Sequence, residues 1–243
     1  MRATVVFAVV MTVALATPRA NAQQLADEQT RKQALDFYRA GQEFMSSERF
    51  DKAVEAFTSA IEKDPLLTLA HYQRGQAHMS LKQFASALQS YQGCLQAMET
   101  LHNLEQSNKF EVDRQRQETI RELRTELSGT TQKINDLKRT VLEQRIHELE
   151  QERTNYNASF RPPAFVLLAM GSAHFRSGDR DTAEAEWKAA AAANPKLGEA
   201  HNNLAVIHLM KGNKAEAENS VKLAEKAGFK VNPQLKADIK KLN

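Results

Sequence analysis

Seven histidines and a single cysteine are the residues of this 243-residue chain whose chemistry invites a search for a reactive centre. His71 and His78 lie seven apart and share a face of any helix that contains them, and His201 and His208 repeat that spacing. Imidazoles on one helix face could ligate a metal or carry protons, but either task needs further groups. Neither pair sits in an HExxH motif, and no carboxylate cluster accompanies them. The chain has no GxSxG elbow, no phosphate-binding glycine loop and no usable base beside Cys94. Single acids such as Asp179 fall in polar turns. The residues therefore predict a chain that is not an enzyme and that has no catalytic residue, metal site or cofactor.

The elements that would position these side chains belong to a repeating unit. Residues 34–65 read as two short amphipathic helices, A and B, joined by a polar turn. Gly41 falls inside helix A, Ala53, Phe57 and Ala60 line one face of helix B, and Pro65 stops it. Glycine within a helix costs about 1 kcal/mol against alanine, so Gly41 predicts a second helix pressed close. At an offset of 34 the pattern returns as Gly75, Ala87, Tyr91 and Cys94. It returns again as Gly171, Ala183, Trp187, Ala190 and Pro195, and then as Ala205, Ala217, Val221 and Ala224. Gly178 and Gly212 fall in the A–B turns of the last two copies, where a positive φ is expected.

A 34-residue helix-turn-helix unit with small residues at these offsets resembles the tetratricopeptide repeat (TPR) family. Four copies cover a little over half of the chain. The resemblance implies an all-α, right-handed solenoid that binds other proteins. It also bears on the histidines, because His78, His174 and His208 share the repeat position where the family carries a packed aromatic. They are read as packed imidazoles in preference to ligands. Cys94 stands where the other copies hold a small packed residue, which favours a buried thiol.

Residues 1–22 read as a secretory signal, with Arg2 as the positive start, an apolar run over residues 5–16, and Ala20-Asn21-Ala22 ahead of cleavage between Ala22 and Gln23. The apolar run is too short for a comfortable bilayer span. The expected location is outside the cytoplasm, periplasmic or secreted, most simply in a bacterial envelope. Loss of Arg2 and Arg19 from the 33 basic residues leaves 31 against 30 acidic ones, a net charge of +1. That balance is no electrostatic footprint for nucleic acid or an anionic membrane. With one cysteine, an exported chain has no internal disulfide. The Asn157-Ala158-Ser159 triplet matches a glycosylation acceptor, a pattern frequent by chance.

The expected order is a polar lead-in at 23–33 able to extend the first helix, then repeats one and two at 34–99. An insertion follows at 100–160, then repeats three and four at 161–231, and a capping helix at 232–243 opened by Asn232 and Pro233. Position 99 is Glu where Pro65 closed repeat one, so nothing stops that B helix. The insertion carries apolar seams at Ile120, Leu123 and Leu127, at Ile134, Leu137 and Val141, and at Leu142, Ile146 and Leu149. Pairs such as Glu105–Lys109 sit on shared faces among charges that nearly cancel. Ser128-Gly129-Thr130-Thr131 interrupts the run. With Gly129 as the turn, two helices form a hairpin about 35–40 Å long at roughly 1.5 Å per residue. The first seam then pairs with the second inside one chain, which favours a monomer. A single continuous helix would instead leave a seam for a second chain, making a structural oligomer or envelope assembly factor that dimerises through the coiled coil.

The resemblance implies that the A helices line a concave groove. Carried onto this chain, the groove positions are Leu35, Tyr38, Gln42 and Met45, then Leu69, Tyr72, Gln76 and Met79, then Phe165, Leu168, Ser172 and Phe175, and finally Glu199, Asn202, Val206 and Leu209. Of a family ladder of asparagines gripping a peptide backbone only Asn203 is present, with Arg39, Gln73 and Ala169 in the other slots. Of a carboxylate clamp only Arg176 can be placed. The expected partner is a protein, bound as a peptide or helix through apolar anchors. Whether the insertion or the lead-in covers part of the groove stays open.

Overall fold

The computed structural model describes residues 26–128, 143, 146, 147, 149, 150 and 159–242. Its helices are α1 (Glu28–Ser46), α2 (Phe50–Lys63), α3 (Thr68–Ser80), α4 (Phe84–Ser128), α5 (Ala164–Ser177), α6 (Arg180–Ala193), α7 (Gly198–Met210), α8 (Lys214–Lys226) and α9 (Pro233–Lys241). No strand occurs among the described residues. The all-α repeat architecture is thus borne out, with α1/α2, α3/α4, α5/α6 and α7/α8 as the four A/B pairs.

Local chemistry sets the boundaries. Asp27 caps α1 by accepting from the Thr30 amide at 2.9 Å, which carries the first helix back into the polar lead-in. Pro65 and Pro195 follow the ends of α2 and α6. Glu99 offers no such stop, and α4 runs on to Ser128, 45 residues in all. Each A–B turn places one residue in the left-handed region: Glu48 (φ 56°), Lys82 (φ 60°), Gly178 (φ 95°) and Gly212 (φ 75°). These four stand at one repeat position, so the turn geometry persists where no glycine serves it.

The helical glycines have the packing partner that their cost demanded. A Cβ on Gly41 would lie 2.4 Å from the Phe57 ring, on Gly75 2.3 Å from Tyr91, and on Gly171 2.6 Å from Trp187. In the fourth repeat the aromatic is replaced by Val221, and the glycine by Ala205. Glycine and ring, or alanine and valine, are two ways to fill one volume. Ala53, Ala87, Ala183 and Ala217 are wholly buried.

Repeats two and three share one core although many residues separate them in sequence. Tyr91 and Cys94 of α4 pack with Val166, Met170 and Ala173 of α5. Tyr72 of α3 meets Phe165 of α5 edge to face, with centroids 5.0 Å apart. At one end of the stack, charges stand where other repeats pack. Asp36 is exposed while its equivalents Ala70, Val166 and Ala200 are wholly buried, and Glu43 is exposed opposite Ala77, Ala173 and Ile207. At the other end α9 covers the stack. Asn232 accepts from the Gln234 amide at 2.8 Å, and Ile239 is buried with Val221 and Ala224.

Along the insertion, Ile120 of α4 is buried against Ile146 and Leu149, with Leu123 and Leu127 packed beside them; the first seam thus meets the third, where pairing with the second was expected. Arg124 donates to Glu150 at 2.5 Å, and Lys109 pairs with Glu105 at 2.6 Å. Gly129, the two threonines after it and the seam of Ile134, Leu137 and Val141 lie outside the described residues, as do residues 1–22 and Gln23.

Candidate functional site

One repeat position of the A helices, at the start of α3 and α5 and two turns into α1, forms an exposed apolar row. Leu35, Leu69 and Phe165 stand at one repeat position and are 36%, 51% and 41% exposed. Glu199 continues the row with a charge and is also exposed. One turn further, Tyr38, Tyr72 and Leu168 are half-buried and span groove and core. Tyr38 tilts against Phe57 at 5.8 Å and Tyr72 against Tyr91 at 5.7 Å. Gln42 donates to the Tyr38 hydroxyl at 3.1 Å. Met45, Met79, Phe175 and Leu209 are half-buried and pack into clusters that their repeats share with the next repeat or, for Leu209, with α9. Asn202, Asn203 and Val206 are half-buried, and Arg176 is exposed.

Tyr72, Gln76, Phe165, Leu168, Ser172 and Glu199 are brought together, with Met79, Ala169 and Leu197, around a cavity of about 450 Å³. Tyr91 closes its floor. The Tyr91 side chain is fully buried, and its hydroxyl has no hydrogen-bond partner. Burial raises the Tyr72 hydroxyl above its ordinary pKa; a bond with Gln76 opposes this, and the Glu199 carboxylate adds to it.

Leu35 and Leu69 open onto a second cavity, of about 540 Å³, shared with Ala26 and Arg31 of the lead-in and with Leu101 of the extended α4. Leu101 and Thr68 also line a neighbouring hollow of about 440 Å³ with His102, Phe160 and Arg161. The sequence reading left Leu101 out of the site; its only signal was the missing stop at Glu99, which lets α4 run past the first residues of α3. Phe160 and Arg161 lie beside repeat two, where a hairpin returning the chain would bring them.

The histidines are structural in their surroundings. His71 Nε2 donates to the Pro65 carbonyl at 2.9 Å, and His201 Nε2 to the Pro195 carbonyl at 3.1 Å. Both end the pattern [DN]-P-x-L-x-x-A-H, at 64–71 and 194–201, a recurrence that the sequence displayed and the reading missed. Burial depresses the His71 pKa, against the raising effect of the Pro65 carbonyl. His78 Nδ1 lies 2.7 Å from Gln83 Oε1, and His208 is buried. Among the described residues no three His, Cys, Asp or Glu side chains converge on a metal-sized site. Cys94 is wholly buried, and burial pushes its thiol up to about 11.

No described helix is long and apolar enough to cross a membrane. A family model of the tetratricopeptide repeat matches residues 38–97 and 168–228. No curated protein matches the chain. Among solved structures it is similar to PilW, a widely conserved type IV pilus biogenesis factor, at 17% identity, covering 83% of this chain and 80% of that one, with a TM-score of 0.39. A thermophilic TPR protein of Thermus thermophilus is 18% identical over 85% of this chain and 97% of its own, with a TM-score of 0.36. YrrB, a TPR protein with an unusual peptide-binding site, is 18% identical over 88% and 95%, with a TM-score of 0.31.

Proposed function

From the premise that the chain belongs to the tetratricopeptide repeat family, we propose that it is a non-enzymatic scaffold that holds a partner peptide or helix against the concave face of its A helices, outside the cytoplasm. The observation that carries this reading is the row of Leu35, Leu69 and Phe165, large apolar side chains left exposed at one position of three successive repeats. A lone exposed leucine would mean little, but three in register offer contiguous anchors. Helices already locked by Gly41, Gly75 and Gly171 against buried rings lose little entropy on binding. Arg2, the apolar run at 5–16 and Ala20-Asn21-Ala22 support export, with Gln23 as the new first residue.

The chain acts as a monomer, with residues 100–160 as a second arm. Support comes from Ile120, whose seam is covered by Ile146 and Leu149 of the same chain. Its partner is a protein and not a nucleic acid, since basic and acidic residues nearly balance. The test is photo-crosslinking in cells of the native host, with benzoylphenylalanine at position 69 or 165 and, as controls, at exposed B-helix positions 62 and 222. Adducts confined to 69 and 165 support the groove. Adducts at 62 and 222 alone, or none anywhere, overturn it.

A further inference from the structure

The cavity between repeats two and three carries a chemical preference of its own. Its lining holds one formal charge, the Glu199 carboxylate, and no lysine, arginine or histidine. Tyr72 and Phe165 present two aromatic rings in edge-to-face contact at 5.0 Å. Gln76 adds an amide, and the buried Tyr91 hydroxyl adds a polar group without a partner. Aromatic faces, a carboxylate and acceptor oxygens all favour a cation and disfavour an anion. Met79 and Leu168 supply the apolar wall along which a methylene stem can lie.

We propose that this cavity receives a basic side chain, arginine or lysine, from the bound partner polypeptide. Its stem lies on Met79 and its charged head meets Glu199, Gln76 and the rings of Tyr72 and Phe165. The inference rests on the reading of the A-helix face as a protein-binding groove and adds which residue of the partner fixes register at its centre.

The test pans a random dodecamer phage library on the full chain. Synthetic versions of the selected peptides are then titrated by fluorescence anisotropy. The expected result is enrichment of peptides with arginine or lysine at one fixed position. Replacing that residue by citrulline or norleucine should weaken binding about tenfold or more, the loss expected for a charge-assisted contact. Glu199→Gln in the protein should reproduce the loss. Peptides without a fixed basic residue that depend on Phe165 (tested with Phe165→Ser) but are indifferent to Glu199→Gln would leave the groove standing and overturn the basic anchor. Failure to enrich any peptide sensitive to Phe165→Ser would overturn both. Enrichment of acidic residues at the fixed position would also overturn the anchor.

Discussion

The glycine–aromatic pairs make a prediction whose sign changes with the partner. Gly41→Ala removes a helix-disfavouring residue, a gain of about 1 kcal/mol if nothing else changed. The new Cβ, however, would sit 2.4 Å from Phe57 Cε1, 2.6 Å from Cδ1 and 2.8 Å from Cζ. Phe57 is wholly buried, so its ring cannot swing into solvent. Overpacking of this kind costs about 1–3 kcal/mol, which equals or exceeds the propensity gain and leaves Gly41→Ala neutral to about 2 kcal/mol destabilising. Phe57→Val costs about 2–4 kcal/mol alone but opens the space. In that background Gly41→Ala should become stabilising by about 1 kcal/mol, because repeat four already combines Ala205 with Val221. The coupling in the double-mutant cycle is then about 1–3 kcal/mol. Urea unfolding of the four proteins measures it. Equal effects of Gly41→Ala in both backgrounds would refute the packing account of the glycine.

Three further outcomes follow from particular residues. Lys82→Gly should stabilise by up to about 1 kcal/mol and Gly178→Ala should destabilise by about as much, since both positions hold positive φ; thermal melts of the two variants check this. The His71 pKa is lowered in the fold, so its contribution is fully present above the unfolded value near 6.5 and is lost as pH falls from there through the lower folded value. Asp64 opposes that shift and Arg74 reinforces it. Melting at pH 7 and pH 5 should therefore show a drop that is smaller in His71→Leu, a change that installs the residue repeat three carries at this position as Leu167. Light scattering should find a monomer at low micromolar concentration. Gly129→Ala should destabilise by about 1 kcal/mol without changing the mass, whereas a dimer strengthened by the alanine would restore the continuous-helix alternative.

What was legible in the sequence was whatever recurs with residue type. Gly41, Gly75 and Gly171, with their rings 16 residues on, gave the register because only glycine tolerates an aromatic at that distance. Two of the four left-handed turn positions were legible as Gly178 and Gly212. Glu48 and Lys82 were not, because there the backbone, fixed by the helices on either side, imposes the conformation on residues that do not advertise it. The stack's charged end was present in the sequence as Asp36 and Glu43, but it acquires meaning only beside the buried Ala70 and Ala77 that replace them in repeat two. The groove positions carried over from the family fall on the A helices, yet Met45, Met79, Phe175 and Leu209 pack into the core clusters that join each repeat to its neighbour or to α9. A periodic pattern reports which face a residue occupies and not how deep the neighbouring helix lets it sink. The wall formed by Leu101 was hidden because it depends on the path α4 takes after Glu99.

The central claim, that partners bind on the A-helix face, is tested most directly by hydrogen exchange on the chain with its crosslinked or peptide partner bound. The account predicts new protection in α1 around Leu35 and in the first turns of α3 and α5 around Leu69 and Phe165, with α2, α6 and α8 unchanged. Protection that falls on α2, α6 and α8, or only on the arm after Thr100, would contradict it.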